Sequence, residues 1–454
     1  MTARKQCASL FELDGAPKMS QAIPLALQHV VAMIVGCVTP AIIISGAAGI
    51  DTADRVLLIQ ASLVVSALST LLQLFPIGRK NGFHLGSALP VILGVSFAYV
   101  PSMQAIAETS GIAAILGAQI AGGICAVVVG LSIKKIRRFF PPLIAGTVVF
   151  TIGLSLYPTA INYMAGGTGQ PGYGSWQNWT VAIFTLVVVT ALNHFAKGFL
   201  KLASILIGMI AGYIFSSFFG MVSFTNVAEA GVFQLPQIMH FGITFEPSAC
   251  VAIGLLFVIN SVQAIGDFSA TTAGGLDREP TTGELHGAIL GYGVSNIFGA
   301  FLGCLPTATY SQNVGIVATT KVVNRVTLGL SALIILTAGL FPKFSALLTT
   351  IPYAVLGGAT VSVFASIAMT SMKLVMTENM NYRNTSIVGL AAALGMGVSQ
   401  ASASLAAFPD WVTTIFGKSP VVIATLVAVF LNVTLRSVYK ELHADHETGA
   451  ADNK

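Results

Sequence analysis

Two adjacent amide side chains interrupt one of the most apolar stretches of this 454-residue chain. The stretch TYSQNVGIVATTK, from Thr309 to Lys321, contains Gln312 and Asn313, and only seven residues separate Asn313 from the lysine. A helix needs about 20 residues to cross a bilayer. The segment is therefore either no crossing at all or a crossing built partly from something other than helix.

One carboxylate lies where charge is costly. Among the 17 Asp and Glu residues, Asp267 in SVQAIGDFSATT is the only one well inside an apolar segment. A charge at the centre of a membrane helix costs about 2.5–3.5 kcal/mol on insertion scales, and burial favours the neutral acid. Asp267 is therefore a candidate proton carrier. The alternative is a structural acid that joins helices through Ser or Thr hydroxyl groups.

The amides suggest recognition of a nucleobase. Gln263 lies four residues before Asp267, on the same helical face. The amide groups of Gln263 and Gln312 each offer two donors and one acceptor, which match the alternating N–H and C=O edge of a nucleobase. An unpaired buried amide costs about 1–3 kcal/mol, so ligands without that edge would be rejected. The alternative for each glutamine is an amide bonded to a neighbouring helix.

Four further residues could support such a site. His29 lies in the first apolar segment, either at the site or in a hydrogen bond between helices. Asn313 is expected to bond to the backbone where a strand turns into a helix, as scaffold rather than ligand. Phe97 and Tyr99 could stack on a planar ligand, although aromatic residues in membrane helices more often pack.

After the amides, the chain is expected to resume as a short helix. Gly315 would allow this helix to pack closely, and Thr320 and Lys321 mark its cytoplasmic end. The N-terminus of such a half-helix presents free N–H groups and a positive dipole end toward the middle of the membrane. The opening stretch is therefore interpreted as a broken crossing whose break faces a binding site.

The composition indicates an all-α polytopic membrane protein. The chain is 55% hydrophobic and only 9% charged, with a mean hydropathy of +0.83, whereas soluble domains are about 25% charged. Uncharged runs long enough to span a membrane recur from about residue 23 to 436. The five scattered cysteines form no disulfide framework or metal site, and the net charge of +5 does not indicate nucleic acid.

Fourteen membrane segments are predicted, with approximate centres at residues 34, 65, 97, 122, 150, 186, 211, 258, 295, 313, 333, 364, 394 and 426. With both termini inside, 19 of the 22 Lys and Arg residues lie on the cytoplasmic side, and only Arg55, Lys343 and Lys418 lie outside. This bias supports the count and the orientation. Residues 1–20 and 441–454 are expected to be cytoplasmic tails, the second of them disordered.

Two of these segments are abnormal. The third, LPVILGVSFAYVPSM from Leu89 to Met103, contains two prolines and a glycine, and the tenth is the opening stretch. They occupy matching positions in two halves of seven. Interrupted segments in matching positions are the best sequence indication of a transporter built from inverted repeats, so we predict a 7+7 inverted repeat with broken strand and half-helix segments 3 and 10.

These motifs resemble those of the nucleobase–ascorbate transporters. QNVGIVATTK, with Gln312, Asn313, Gly315, Thr320 and Lys321, meets every fixed position of the family signature. QH at residues 28–29, SVQAIGD around residue 263 and VSFAYV around residue 97 resemble the family's first, eighth and third segments. The likeness covers the chain from about residue 20 to 440.

The resemblance implies a fold and a function. Residues 21–440 would form one transporter unit, with segments 1–4 and 8–11 as core domain and segments 5–7 and 12–14 as gate domain. Family members carry purines or pyrimidines, usually with protons, and some animal members carry ascorbate with sodium. Gln312, at the first position of the signature, is similar to the glutamine that is typical of bacterial xanthine and uric acid permeases at that position. The ligand would be held by Gln263 and Gln312 and by strand backbone near Phe97 and Ser311.

The chain departs from the family pattern at three positions. Most members have Glu where Gln263 stands, several bacterial xanthine carriers have Asp or Asn where Tyr292 stands, and some have Asn where Ala98 stands. Asp267 is then the sole carboxylate left for coupling.

We therefore expect alternating-access symport of a purine with protons across the bacterial cytoplasmic membrane, by a homodimer among membrane lipids. The proton is the coupling ion, and no cofactor, metal or nucleic acid is expected. The alternatives are an uncoupled or differently coupled nucleobase facilitator and an anion exchanger of the sulfate/bicarbonate type on the same fold. A membrane enzyme is not supported, because no metal-ligand spacing or nucleophile–base pair is present.

Overall fold

The computed structural model describes residues 9–78, 84–133, 141–409, 412–417 and 419–451. The chain divides into two compact units. The first comprises Met1–Ile133 and Leu156–Val363, and the second comprises Lys134–Ser155 and Phe364–Lys454. Several residues of the predicted charge clusters, including Arg79, Lys80, residues 134–138 and Lys418, lie outside the described residues.

The first unit is built from long apolar helices joined by short connections. Its helices are α1 Met19–Ala47, α2 Thr52–Leu74, α3 Val100–Leu131, α5 Tyr157–Met164, α6 Trp176–Phe195, α7 Phe199–Leu202, α8 Ser204–Ser217, α9 Thr225–Glu229, α10 Pro247–Leu276, α11 Thr282–Phe301, α12 Ser311–Thr320, α13 Arg325–Leu340 and α14 Pro342–Thr349. Helix α15, Tyr353–Val375, begins in this unit and ends in the second.

Four short strands interrupt the helices of the first unit. Strands β1, Ile77–Gly78, and β2, His84–Leu85, form one antiparallel pair. Strands β3, Leu93–Val95, and β4, Thr307–Thr309, form another. A 3-10 helix, Phe97–Tyr99, joins β3 to α3. The predicted broken segments 3 and 10 are therefore a strand followed by helix in each case, and the two strands pair with each other.

The second unit is a smaller helical bundle. It contains α4 Pro142–Ser155, the end of α15, α16 Tyr382–Gln400, a 3-10 turn Ser402–Leu405, a π-helical turn Thr413–Gly417 and α17 Pro420–Ala451. Leu143 and Ile144 pack against Val375, Ile387 and Ala428 in its core. Glycines permit close helix contacts there, since a side chain at Gly146 would lie 2.8 Å from Val375 Cγ2.

The helical membrane class is confirmed. Each of the fourteen predicted centres falls within a helix or the 3-10 turn. Among the described residues, seven helices are long and apolar enough to cross a membrane. An eighth span is formed if α13 and α14, bent by 82°, count as one. The number of crossings and the inverted repeat remain predictions.

Parts of both predicted terminal tails are described. Helix α17 continues to Ala451 and so includes residues 441–451 of the segment expected to be disordered, and no proline interrupts it. At the other end, the Leu10 carbonyl accepts from Val323 N at 3.1 Å and the Leu13 carbonyl from Arg325 N at 3.1 Å. Part of the N-terminal segment is thus attached to the connection between α12 and α13. Residues 1–8 and 452–454 lie outside the described residues.

Candidate functional site

The two paired strands hold the beginnings of two helices close together. In the antiparallel register, Leu93 faces Thr309 and Val95 faces Thr307. The Thr70 hydroxyl on α2 anchors β3, because it lies 3.0 Å from both the N–H and the carbonyl of Leu93. On β4, the N–H of Thr307 donates to the Asn296 side-chain oxygen at 2.8 Å. The strands are buried, and backbone groups of Leu93 and Thr307 are bonded to side chains of neighbouring helices.

Tyr310, which directly precedes α12, connects this strand pair to α1. Its hydroxyl donates to the Val95 carbonyl at 2.7 Å. A Cβ atom at Gly94 would lie 2.7 Å from the Tyr310 hydroxyl oxygen and 2.9 Å from Cys37 Sγ, and a Cβ atom at Gly36 would lie 3.0 Å from the same hydroxyl oxygen. Only glycine at position 94 leaves room for this ring. The side chain thus fixes where α12 begins relative to β3.

Asp267 faces the beginning of α12. Thr309 Oγ1 donates to its Oδ2 at 2.5 Å, and Ser311 Oγ donates to its Oδ1 at 2.8 Å. The side chain is buried. Burial penalises a charged carboxylate, whereas two hydroxyl donors stabilise it. These contacts are those of the structural alternative, an acid that joins α10 to β4 and α12 through Ser and Thr hydroxyls.

Gln263 lies one helical turn before Asp267 and presents an unsatisfied acceptor. Its side-chain oxygen Oε1 is buried and has no hydrogen-bond partner among the described residues. A buried acceptor without a partner costs about 1–3 kcal/mol. The alternative was an amide bonded to a neighbouring helix, and this oxygen makes no such bond among the described residues. A ligand N–H that reached this enclosed oxygen would supply its missing donor.

The beginning of α12 presents donors. Ser311 and Gln312 are exposed, and neither their backbone N–H groups nor the Gln312 amide has a partner in the described part of the chain. Helix α12 lies directly against α10, since a Cβ atom at Gly274 would lie 2.5 Å from Ala318 Cβ. The hydrogen bond between Ser311 and Asp267 fixes the position of α12 along α10. The helix that carries Gln263 and the free end of α12 therefore border one region.

His29 and Asn313 form a link between α1 and α12. Asn313 Nδ2 lies 3.2 Å from the His29 carbonyl and 3.1 Å from His29 Nδ1. The carbonyl can only accept, so the amide nitrogen faces both groups and Nδ1 accepts as well. The His29 proton is then on Nε2. Both side chains are buried, which corresponds to the interhelical role weighed for His29 and the scaffold role expected for Asn313.

The two aromatic residues of the third segment occupy different environments. Tyr99 is completely buried, its ring packs 5.0 Å from that of Phe257, and its hydroxyl is bonded to that of Tyr292. We expected that Tyr99 could stack on a ligand, but its ring is already covered by neighbouring side chains. Tyr99 is therefore a packing residue. Phe97 is 9% exposed and is the first residue of the 3-10 helix that follows β3. Its predicted stacking role stays a prediction.

The remaining signature residues lie along α12 and at its end. A Cβ atom at Gly315 would meet nothing within 4 Å, so the expected close packing of this glycine is wrong and its face is open. Thr320 donates its hydroxyl to the Ile316 carbonyl at 2.8 Å. Lys321 ends the helix in the left-handed conformation and pairs with Asp277 at 2.7 Å. These residues therefore terminate α12 and attach it to the end of α10.

Two residues of the site were not anticipated from the sequence. Thr309 supplies the second hydroxyl to Asp267, and Tyr310 supplies the anchor to β3. A signal for Thr309 existed, because it lies only two residues before Ser311 in the chain and is therefore close to the site by connectivity alone. The contacts of Tyr310 carry no comparable signal, since its partners lie 215 and 273 residues away.

The site is assembled from hydrogen-bonding groups. Within the described ranges, no group of three His, Cys, Asp or Glu side chains could hold a metal ion. The site instead combines one unpaired amide acceptor, two free backbone donors, one exposed amide and one carboxylate bonded to hydroxyls. Such groups can recognise a ligand with both N–H and C=O groups on its edge.

Comparison with known proteins agrees with this arrangement. Residues 20–404 match the permease family Xan_ur_permease. The chain is 32% identical over 435 residues to the xanthine permease of Bacillus subtilis, covering 95% of this chain and 98% of that protein. It is 34% identical over 419 residues to the uric acid permease PucJ of the same organism, covering 90% and 91%. The xanthine permease XanQ of Escherichia coli is 29% identical over 449 residues, covering 95% of each.

Solved structures share the fold. The transmembrane domain of the cyanobacterial bicarbonate transporter BicA superposes with a TM-score of 0.58 at 15% identity, covering 90% of this chain and 96% of that one. SLC26A9 gives a TM-score of 0.56 at 11% identity, covering 93% and 66%. The structural likeness concerns the architecture, whereas the sequence match decides the family. This integral membrane protein therefore belongs to the nucleobase–ascorbate transporter family, whose members are permeases and not enzymes.

Proposed function

We propose that this protein takes up an oxidised purine, xanthine or uric acid, by proton symport and alternating access across the bacterial cytoplasmic membrane. The observation that carries the substrate class is the unpaired, buried oxygen of Gln263 on the helix that borders the free end of α12. Purines with oxygen substituents offer adjacent N–H and C=O groups, so they can donate to Gln263 and accept from α12. The names of the xanthine and uric acid relatives support this class.

The hydroxyl contacts of Asp267 suggest how a proton and a purine can be coupled. An ionised Asp267 accepts from both Thr309 and Ser311. A protonated carboxyl group becomes a donor on one oxygen, so one hydroxyl must turn and accept instead. Ser311 adjoins Gln312 in the chain, so this change reaches the beginning of α12. Proton binding at Asp267 would thereby alter the donors offered to the substrate.

An inverted repeat is the simplest arrangement for such a carrier. Two matching segments, each a strand followed by helix, meet here as the antiparallel pair β3–β4, and the fourteen predicted centres all fall in helical elements. Both features support fourteen crossings in two halves of seven. We further propose cytoplasmic termini, a core domain of segments 1–4 and 8–11 moving against a gate domain of segments 5–7 and 12–14, and assembly as a homodimer in the lipid bilayer.

A facilitator is the second candidate. Gln263 stands where most family members have a carboxylate, and both oxygens of Asp267 are already bonded to hydroxyls. Without a titrating carboxylate, the same site would let a purine equilibrate and would not concentrate it.

Uptake of labelled substrates tests both candidates. Cells that express the protein are given xanthine, urate, guanine or uracil, with and without a protonophore. We expect accumulation of xanthine or urate that the protonophore abolishes. Equilibration that is insensitive to the protonophore would identify a facilitator. Preference for uracil, or absence of purine uptake with the protein present in the membrane, would contradict the proposal.

A further inference from the structure

A cavity lies away from the site described above. Its volume is about 210 Å³, and its lining includes Ile42 on α1, Arg55 on α2, Ser223, Thr349 at the end of α14 and Tyr353 at the start of α15. None of its lining residues belongs to α10, α12 or the paired strands. Because Ile42 is near the C-terminal end of α1 and Arg55 is in the first turns of α2, the cavity is at the end of α1 opposite its N-terminus.

Arg55 brings an uncompensated charge to this cavity. Its Nε atom is buried without a hydrogen-bond partner, and no carboxylate lies within 4.0 Å of its guanidinium among the described residues. The neighbouring Asp54 is engaged elsewhere, since its Oδ1 lies 2.7 Å from His240 Nε2. Desolvation of an unpaired charge is costly, so an anion bound against the buried side of this guanidinium would be stabilised. Arg55 is also one of the three cations that depart from the positive-inside bias.

The other groups of the lining do not supply the missing anion. The hydroxyls of Thr349 and Thr350 donate to carbonyls of their own helix at 2.7 Å, so their hydrogens are already used. Tyr353 packs its ring 4.9 Å from that of Tyr163, and its hydroxyl has no partner in the described part of the chain. A small acceptor ligand could therefore bond to Arg55 and Tyr353 together.

We propose that this cavity binds a small planar anion, held by Arg55. The guanidinium fork matches two neighbouring acceptor atoms on the edge of such an anion, in the way that it matches the two oxygens of a carboxylate. The volume is below the roughly 300–1,000 Å³ of pockets for drug-sized ligands, which restricts the ligand to about one or two rings. If the chain carries purines as proposed above, uric acid, which is ionised at neutral pH, is a ligand of this class, and the cavity would hold it separately from the transport site.

Benzoate is a suitable probe, because it is a planar anion without the donor edge of a purine. Its binding to the purified full-length protein is measured by titration calorimetry for the wild type, Arg55→Gln and Lys343→Gln. Lys343 is the matched control, since it is an exposed cation of α14 that does not line the cavity. We expect the Kd for benzoate to rise at least tenfold in Arg55→Gln and to stay unchanged in Lys343→Gln.

Three results would overturn the proposal. They are wild-type benzoate affinity in Arg55→Gln, equal losses in both variants, and binding of chloride at the Arg55 site with no binding of benzoate. If Arg55→Gln does not fold, Arg55→Lys retains the charge and removes the fork. Weakened benzoate binding by Arg55→Lys supports the site. Wild-type affinity of Arg55→Lys for benzoate refutes the proposal that the guanidinium fork holds the anion.

The proposed anion site and the proposed purine transport can be tested independently of each other. Benzoate binding that depends on Arg55, without any purine uptake by the wild type, would leave the anion site standing and refute the purine function. Purine uptake that depends on Gln263, with benzoate binding unaffected by Arg55→Gln, would do the reverse. Urate competition against benzoate then decides whether the transported substrate or another planar anion is the ligand.

Discussion

Replacing Asp267 by asparagine preserves the shape of the side chain and removes its charge and its exchangeable proton. The carboxylate accepts two hydroxyl hydrogen bonds, from Thr309 at 2.5 Å and Ser311 at 2.8 Å. In the variant, one oxygen still accepts, and the other hydroxyl can turn to accept from the new NH₂ group. Bonds to charged groups contribute about 1.5–3 kcal/mol and neutral ones about 0.5–1.5 kcal/mol. The loss is therefore about 1–1.5 kcal/mol per bond, and the protein should fold.

The functional effect is expected to be much larger than the structural one. One proton that enters down a potential of 100 mV supplies about 2.3 kcal/mol. Since about 1.4 kcal/mol corresponds to a factor of ten, this energy supports roughly 50-fold accumulation of substrate. A permanently neutral side chain cannot carry the proton. Asp267→Asn should therefore lower the accumulation ratio to about one and retain exchange of substrate between the two sides.

The assay compares xanthine accumulation in energised cells with counterflow in vesicles preloaded with substrate. Asp277→Asn is the matched control, because Asp277 ends the same helix, is exposed and pairs with Lys321. Asparagine also tolerates the left-handed conformation found there. Asp277→Asn should accumulate normally. Protonophore-sensitive accumulation by Asp267→Asn would refute the reasoning, and His29→Asn would then be the next variant to test.

Four further predictions concern recognition and packing. Gln263→Ala should weaken xanthine binding by about 1–3 kcal/mol, since a ligand donor loses its acceptor; unchanged affinity in a binding titration would make Gln263 a packing residue. Gln312→Glu replaces two amide donors by a charge and should change the ranking of purines in uptake competition; an identical ranking would exclude Gln312 from recognition. Gly94→Ala should lower stability by about 1–3 kcal/mol, because its Cβ would lie 2.7 Å from Tyr310. Gly315→Ala should raise the thermal unfolding midpoint or leave it unchanged, because its Cβ meets nothing within 4 Å and alanine favours a helix over glycine by about 0.5–1 kcal/mol. Equal losses of stability in Gly94→Ala and Gly315→Ala would contradict the packing argument.

Much of the architecture could be predicted from local sequence alone. Hydropathy over about 20 residues located the fourteen apolar centres, each of which lies in a helical element. Prolines and a glycine around Leu89–Met103 and the polar residues after Thr309 located the two interruptions. These properties depend on the energy of placing a residue in an apolar medium and on backbone conformation. Both are nearly independent of distant contacts, so one sequence is sufficient.

The roles of individual site residues could not be predicted in this way. The sequence marked Asp267 as unusual but not that both its oxygens are bonded to hydroxyls 42 and 44 residues away. It allowed Tyr99 to stack on a ligand, whereas the ring is buried against Phe257 and its hydroxyl is bonded to that of Tyr292. Each of these outcomes depends on which distant side chain fills the neighbouring space. Hydropathy and spacing do not contain that information.

The difference between these two kinds of prediction has one physical origin. Transfer of apolar side chains into the bilayer is a sum over residues, so composition and spacing determine the membrane class and the position of the breaks. Hydrogen bonds are short-range and directional, so they depend on the packed geometry of elements far apart in the chain. Only that geometry decides that, among the described residues, Gln263 retains an unpaired acceptor, Gly315 faces open space and Arg55 lines a cavity without a carboxylate partner.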